Sequence, residues 1–467
     1  MADNVVDSDR YGADVHAEAF VGPLGARCAH DGIGPGPVRT GWLMGNTDQA
    51  VIVVPDTLLV SWHWPPVSRA STTVLANLFR DAPAERFRVV TRRMPRPRAG
   101  DRTPTPRFET HAVPWRLANG REGTLSEWVA GVRAALCMAR VARRLYKARP
   151  FERVVAVYPH RFGLLAGWWI ARRTGVPFVA YMHDLFAETY LTGSRLKRTF
   201  WRWLDHRALT EAALVVVPTD EFAAYYRRRG GGPALVLPHC APAGAQASPP
   251  PEPKRVLNLV YTGNLYDAHE DAIKAFLAVT DTLGDIRVTL HTPPHPMLGD
   301  RAARWVCREE VLEATRSADV CVLVLGHDTP YPEEVHGCFP SKIMDYLAAT
   351  RPILAVVPPG CFVDRFIRET GAGIAVNTLE FIDIRRAIER LRDAGLRERL
   401  AGAAGRAACR LRAGIHLPRF LEGLATLETG EDETCVWREP ELPCWEPVTD
   451  VPHVPADIRQ PRVCATA

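Results

Sequence analysis

Several common signatures are missing from this sequence, and each absence narrows what the chain can be. No two cysteines stand as C-x-x-C, and the total of 11 is odd. They sit mostly in apolar runs, such as Cys321 in VCVLVLG. This pattern reads as reduced thiols, not a disulfide frame or a zinc site. No apolar run is long enough to span a bilayer. The first residues offer Asp, Asn and Gly where a signal peptide needs basic and then apolar residues, so a cytoplasmic protein is expected. There is no phosphate loop of the form G-x-x-x-x-G-K-S/T. Gly32-Ile33-Gly34-Pro35-Gly36 follows no strand and opens no helix, so it is no dinucleotide fingerprint. The only D-x-D, Asp7-Ser8-Asp9, lies outside any strand pattern, and no obligatory metal is expected. Net charge is only +5, too little for the whole molecule to be a nucleic-acid binder.

What is present is a long, apolar chain with a regular rhythm. At 467 residues it exceeds one ordinary core, and two domains are the natural reading. Apolar runs at 57–62, 87–91, 153–158, 177–182, 213–217 and 234–238 read as strands buried on both faces. Helical patterns separate most of them, at about 69–80, 124–148, 162–173, 195–209 and 219–229. A Pro/Ala/Ser-rich stretch at 241–255 reads as a linker. A second series follows, with strands expected at 256–262, 286–291, 319–325, 352–357 and 373–376 and helices between and after them. The predicted organisation is a mobile leader (1–48), a first Rossmann-like domain (49–240), the linker, a second Rossmann-like domain (256–428) and an extended tail (429–467). The fold class is α/β, two doubly wound parallel sheets with a cleft between the carboxyl ends of their strands, where ligands bind.

The segment from Cys338 to Ala355 carries the most chemistry. Pro340 suits the first position of a helix, where its missing N–H costs nothing. The helix start then offers free amides to a phosphate, and Lys342 adds a full charge beside Ser341. Asp345, three residues on, shares the face of Lys342 and can accept hydrogen bonds from a ribose diol. Ser341, Lys342 and Asp345 together suit a nucleoside diphosphate. Gly263, after the strand at 256–262, permits either a tight turn or close approach of a phosphate, with Asn264 beside it. In the first series, His183 and Asp184 end a strand at the cleft edge, as a sugar contact and a candidate general base. His63 ends the first strand.

Cys338 to Ala355 resembles the donor-site motif of GT-B glycosyltransferases, in the variant P-S-K-x-x-E-Y-x-A-x-x-R/K-P, and is similar to glycosyltransferase family 4. The resemblance extends over most of 57–428. Ser61-Trp62-His63-Trp64-Pro65-Pro66 is similar to the family's first-strand loop, Tyr181-Met182-His183-Asp184-Leu185 to its acceptor-side loop, and Val260-Tyr261-Thr262-Gly263-Asn264-Leu265 to the turn that opens its donor domain. Gly371-Ala372-Gly373 matches its late G-x-G. The resemblance implies a nucleotide-sugar donor, transfer of a hexose-type sugar with retention of configuration, and an acceptor glycan or lipid-linked sugar.

There are departures from the pattern. Asp345 stands where the family has Glu. The earlier acid of E-x7-E falls on Gly337 or Cys338, leaving Glu333 or Glu334 as substitutes. No cation follows the Gly263 turn, so Lys342 is left to hold the diphosphate, helped by Arg69. Two other readings fit the same scaffold: a sugar-nucleotide 2-epimerase and a degenerate, non-catalytic nucleotide-sugar-binding protein.

Basic residues cluster at 133–149 (Arg133, Arg140, Arg143, Arg144, Lys147, Arg149) with no acid among them. The 194–209 helix combines Arg195, Lys197, Arg198 and Arg202 with Leu196, Phe200, Trp203 and Leu204. Both suit a helix packed on the sheet, or a surface lying on the inner face of the cell membrane.

Overall fold

The computed structural model describes residues 53–94, 96–97, 99–114, 125–185, 195–242 and 256–427. The leader at 1–48, most of the 241–255 linker and the tail at 429–467 lie outside the described residues, as do the side chains of Arg195, Leu196, Lys197 and Arg198.

Seven parallel strands build the first sheet: β1 (Thr57–Ser61), β2 (Phe87–Arg92), β3 (Glu109–Val113), β4 (Arg153–Tyr158), β5 (Phe178–Met182), β6 (Leu214–Val217) and β7 (Ala234–Val236). Their order is β3-β2-β1-β4-β5-β6-β7. Helices α1 (Ala70–Leu78), α2 (Leu125–Ala148), α3 (Arg161–Thr174), α4 (Arg195–Thr210) and α5 (Asp220–Arg228) connect them. The central strands are apolar runs because both faces are covered: Leu58, Leu59 and Val60 are all fully buried. β3 escapes the sequence pattern. It is an edge strand, and only Val113 of its five residues is buried.

The second sheet has five parallel strands: β8 (Leu257–Thr262), β9 (Ile286–His291), β10 (Val320–Val324), β11 (Ile353–Val356) and β12 (Gly373–Val376), in the order β12-β11-β10-β8-β9. Around it lie α6 (Glu270–Thr280), α7 (Arg308–Ser317), α8 (Pro332–Gly337), α9 (Lys342–Ala348), α10 (Phe362–Thr370), α11 (Phe381–Arg390) and α12 (Ala394–Arg410). α8 has six residues, too few to show a helical period. The late G-x-G has structural reasons: Gly371 takes φ +65° to end α10, and a Cβ on Gly373 would meet the Ile353 carbonyl oxygen at 1.9 Å.

The last helix, α13 (Ala413–Ala425), does not stay with the second sheet, so the boundary expected at 428 does not separate the two cores. Its stripe of Leu417, Phe420 and Leu424 packs on the first sheet beside Leu59, Val155 and Val179. Buried Arg153 of β4 pins its end, donating from Nε to the Leu424 carbonyl at 3.0 Å and also to that of Leu427. Positive charge at a helix C-terminus is favourable, and the carbonyls are satisfied.

Strand order reverses between β1 and β4 in one sheet and between β8 and β10 in the other. Such switch points open crevices at the carboxyl ends of strands. Thr219 Oγ1 donates to the Gly337 carbonyl at 2.7 Å, and the Leu185 amide donates to Glu334 Oε2 at 2.7 Å. These bonds tie the two sheets' loops together beside the cleft.

Candidate active site

A cleft of about 620 Å³ lies between the two sets of strand ends. Its second-sheet wall begins at the Gly263 turn, where φ is +91°, a value costly for any residue with a Cβ. A Cβ there would lie 3.4 Å from Lys342 Cε. Turn and lysine, 79 residues apart in the chain, therefore share one spot. Lys342 Nζ donates to Tyr261 Oη at 2.8 Å and sits 4.0 Å from the centre of that ring. Tyr261 Oη donates onward to the Asn264 carbonyl at 2.9 Å, which fixes the turn. Burial lowers the Lys342 pKa to about 7. Tyr346, the motif tyrosine, is structural: its hydroxyl bonds Thr262 of β8 and the Val322 carbonyl of β10.

α9 starts at Lys342, with Ser341 as its N-cap, so Pro340 lies just before the helix and not inside it. Its turn hydrogen bonds begin with the Ile343 amide, which donates to the Pro340 carbonyl at 3.0 Å. The helix has seven residues, so its dipole is short and Lys342 supplies most of the positive charge. Ser341 and Asn264 both line the cleft.

Asp345 lines the cleft and carries an ion pair that the sequence did not show. Its carboxylate is buried and gripped by Arg308, with Nη1 on Oδ2 and Nη2 on Oδ1, both at 2.5 Å. Burial would lower the Arg308 pKa, but the charge and hydrogen bonds of Asp345 outweigh it and the pKa rises. Arg308, which no motif announced, thus lines the cleft as the partner of Asp345. Arg69 lines the same cleft and is exposed.

Residues 69–240 match the family described as Glycosyl transferase 4-like domain. Solved structures share the architecture. Sucrose-phosphate synthase from Thermosynechococcus elongatus is 16% identical, with 78% of this chain and 97% of that chain covered and a TM-score of 0.56. HepE from Anabaena, in complex with UDP, is 11% identical over 80% and 100%, with a TM-score of 0.57. The α,α-trehalose-phosphate synthase (UDP-forming) from Burkholderia xenovorans, in complex with glucose-6-phosphate, is 12% identical over 79% and 99%, with a TM-score of 0.57. No curated protein sequence gives a significant match. The chain has the GT-B fold.

In that GT-B frame, the first sheet supplies the opposite wall. His183 ends β5 and is buried in the cleft, and neither ring nitrogen has a hydrogen-bond partner among the described residues. Burial, then the neighbouring His239, pushes its pKa well below the ordinary value. The two imidazoles meet edge-on at 5.5 Å, and His239 stacks on Phe339 at 5.5 Å. Burial lowers His239 to about 4 and raises Asp184, beside His183 in the cleft, to about 6. Glu334 lines the cleft, whereas Glu333 faces out and pairs with Arg228 at 3.4 Å. Of these two acids, Glu334 is the one that lines the cleft.

His63 is not among the residues lining the cleft; it meets His160 edge-on at 5.9 Å, where Trp62 stacks on His160 at 4.0 Å. Burial, then Arg69 and Arg92, lowers its pKa to about 3. Sequence reasoning missed Arg308, His239 and His269, which all line the cleft. They stand outside the quoted motifs, and only the fold brings them to the site.

Proposed function

We propose that this GT-B protein moves a hexose-type sugar from a nucleoside-diphosphate sugar to an acceptor hydroxyl. The observation that carries the reading is the Lys342 ammonium set against the Gly263 turn at the switch point of the second sheet. A cation at a backbone turn with φ > 0 lets a diphosphate approach closely and stabilises the charge that grows as it leaves. No step is assigned to a metal. The acceptor enters against His183, with Asp184 and Glu334 beside it. Retention of configuration is the stereochemistry proposed, and it requires no protein base. HepE holds UDP and the trehalose-phosphate synthase is UDP-forming, so UDP is the first nucleotide to test. In thermal melting with UDP, GDP, ADP and TDP at millimolar concentration, one diphosphate is expected to raise the transition by several degrees; a shift with none sinks the proposal.

The outer face of the first sheet's helices supports a lipid-linked or polysaccharide-precursor acceptor. Trp168, Trp169, Arg172 and Arg173 of α3 and Trp203 and Arg207 of α4 line a shallow depression of about 520 Å³. On α4 the buried tryptophan is Trp201, whereas Trp203 is 45% exposed, so Trp203 is not part of the apolar stripe. Interfacial tryptophans with arginines suit anionic headgroups. No helix among the described residues is long and apolar enough to cross a membrane. The protein is expected to co-sediment with phosphatidylglycerol vesicles at low salt and not with phosphatidylcholine. A Trp203→Ser/Arg173→Ser variant is expected to lose most of that binding. Equal sedimentation with both lipids, or none, contradicts a membrane face.

A further inference from the structure

The basic run at 133–149 falls almost wholly on α2, and none of it lines the cleft. Arg133, Arg140, Arg143, Arg144 and Lys147 are all exposed. At 3.6 residues per turn they span about 100° of arc and roughly 21 Å of helix, so they share one face. Val129 and Val132, 50% and 36% exposed, extend that face toward the start of α2.

A run of cations is usually a solvated face with carboxylates close by, and other basic helices of this fold are of that kind. Arg172 and Arg207 pair with Glu211, Arg386 with Asp383, and Arg385 and Arg392 with Glu389. On α2 the five cations have no carboxylate within 4.0 Å among the described residues. Glu127, the only acid of the helix, is bound to Arg161. The cations also crowd one another. Arg140 has Arg143 and Arg144 one turn on, and Lys147 follows both at the same spacings. Like charges three and four residues apart weaken a helix. The helix dipole favours cations only in the last turn, where Lys147 stands. The fold is therefore not what these side chains serve.

What lies beside the stripe shows what it faces. α2 packs against α3. An aromatic row joins it to the depression of α3 and α4: Trp128 meets Phe200 at 5.1 Å, Phe200 meets Trp203 at 5.8 Å, and Trp203 meets Trp168 at 5.8 Å. A straight row of cations, with exposed valines in line and exposed tryptophan alongside, fits a flat surface that is anionic outside and apolar just beneath. We propose that the exposed face of α2 docks this protein on bilayers of anionic lipid, as the electrostatic half of a surface whose aromatic half is the depression of α3 and α4. The inference rests on α2 and is independent of the sugar-transfer reading.

The test is co-sedimentation with vesicles of rising phosphatidylglycerol content. Wild type is compared with Arg140→Gln/Arg144→Gln, with Arg140→Lys/Arg144→Lys, and with Arg385→Gln/Arg386→Gln, which removes the same charge from exposed positions of α11. Each cation near an anionic surface contributes about fivefold to binding, so the α2 glutamine variant is expected to bind about tenfold to thirtyfold more weakly. The lysine variant and the α11 control are expected within about twofold of wild type. Wild-type binding is expected to fall steeply between about 0.05 and 0.5 M NaCl, and that of the α2 glutamine variant less steeply. The same variant is expected to melt no lower than wild type, because like-charge repulsion is relieved. The proposal is overturned if the α2 glutamine variant binds as wild type does, if it melts markedly lower, or if the α11 control loses as much. Retention on soluble polygalacturonate without vesicle binding would overturn it in favour of an anionic glycan. If Trp203→Ser/Arg173→Ser binds as wild type does while the α2 glutamine variant fails, the aromatic half is wrong and the role of α2 stands.

Discussion

Nucleoside-diphosphate affinity is expected to fall about fivefold between pH 7 and pH 8, and to become nearly flat in Lys342→Arg. Burial brings the Lys342 pKa down from 10.5 to about 7, so near neutrality the empty site holds only part of its charge. A diphosphate is best bound by the ammonium, so binding draws a proton onto Lys342. Affinity is full below pH 7 and weakens by up to about tenfold per unit above it, until the raised pKa of the complex is reached. The empty protein responds with the opposite sign. Between pH 7 and 10.5 the unfolded chain holds the proton that the folded lysine has given up, so folding stability rises with pH through that window. Lys342→Ala removes the charge altogether and is expected to cost about tenfold to a hundredfold in affinity at pH 7. Calorimetry from pH 6 to 9 on the three proteins checks all of this. An affinity that does not change with pH in wild type, or that changes equally in Lys342→Arg, contradicts it.

The largest stability effect is expected far from the cleft. Phe420→Ala should destabilise the protein by about 3–5 kcal/mol in urea unfolding, while Glu422→Ala, two residues on and exposed, should stay within about 0.5 kcal/mol. Phe420 is fully buried, edge-on to Phe79 at 5.3 Å and tilted against Tyr181 at 6.0 Å. Truncation removes its apolar surface and leaves a cavity that the flanking strands cannot fill. An equal, small effect for both variants would mean that α13 is not part of the first core.

Some of this was open to sequence reasoning and some was not, for physical reasons. β1, β4, β10 and β11 are buried on both faces, and such strands appear as unbroken apolar runs. β3 has one face in solvent and a single buried residue, and α8 is shorter than two turns. The α13 stripe was visible as a helical period, but a period tells which face is buried, not which sheet buries it. The convergence of Gly263 and Lys342 could be read because each carried its own local signal, a turn glycine and a lysine beside Pro340 and Ser341. Arg308 carried none. Its partner is 37 residues away, on another helix, and an arginine at a helix start is ordinary in sequence. For the same reason Asp345 looked unpaired in the sequence. Only the packing of α7 on α9 shows its bonds to Arg308.

The most direct test of the central claim is binding of UDP, GDP, ADP and TDP to the purified protein, wild type beside Lys342→Ala. The account predicts that one of them binds wild type and raises its melting temperature, while Lys342→Ala binds the same nucleotide at least about tenfold more weakly. If no diphosphate binds at millimolar concentration, or if the two proteins bind alike, the site at Gly263 and Lys342 is not a nucleotide-sugar site.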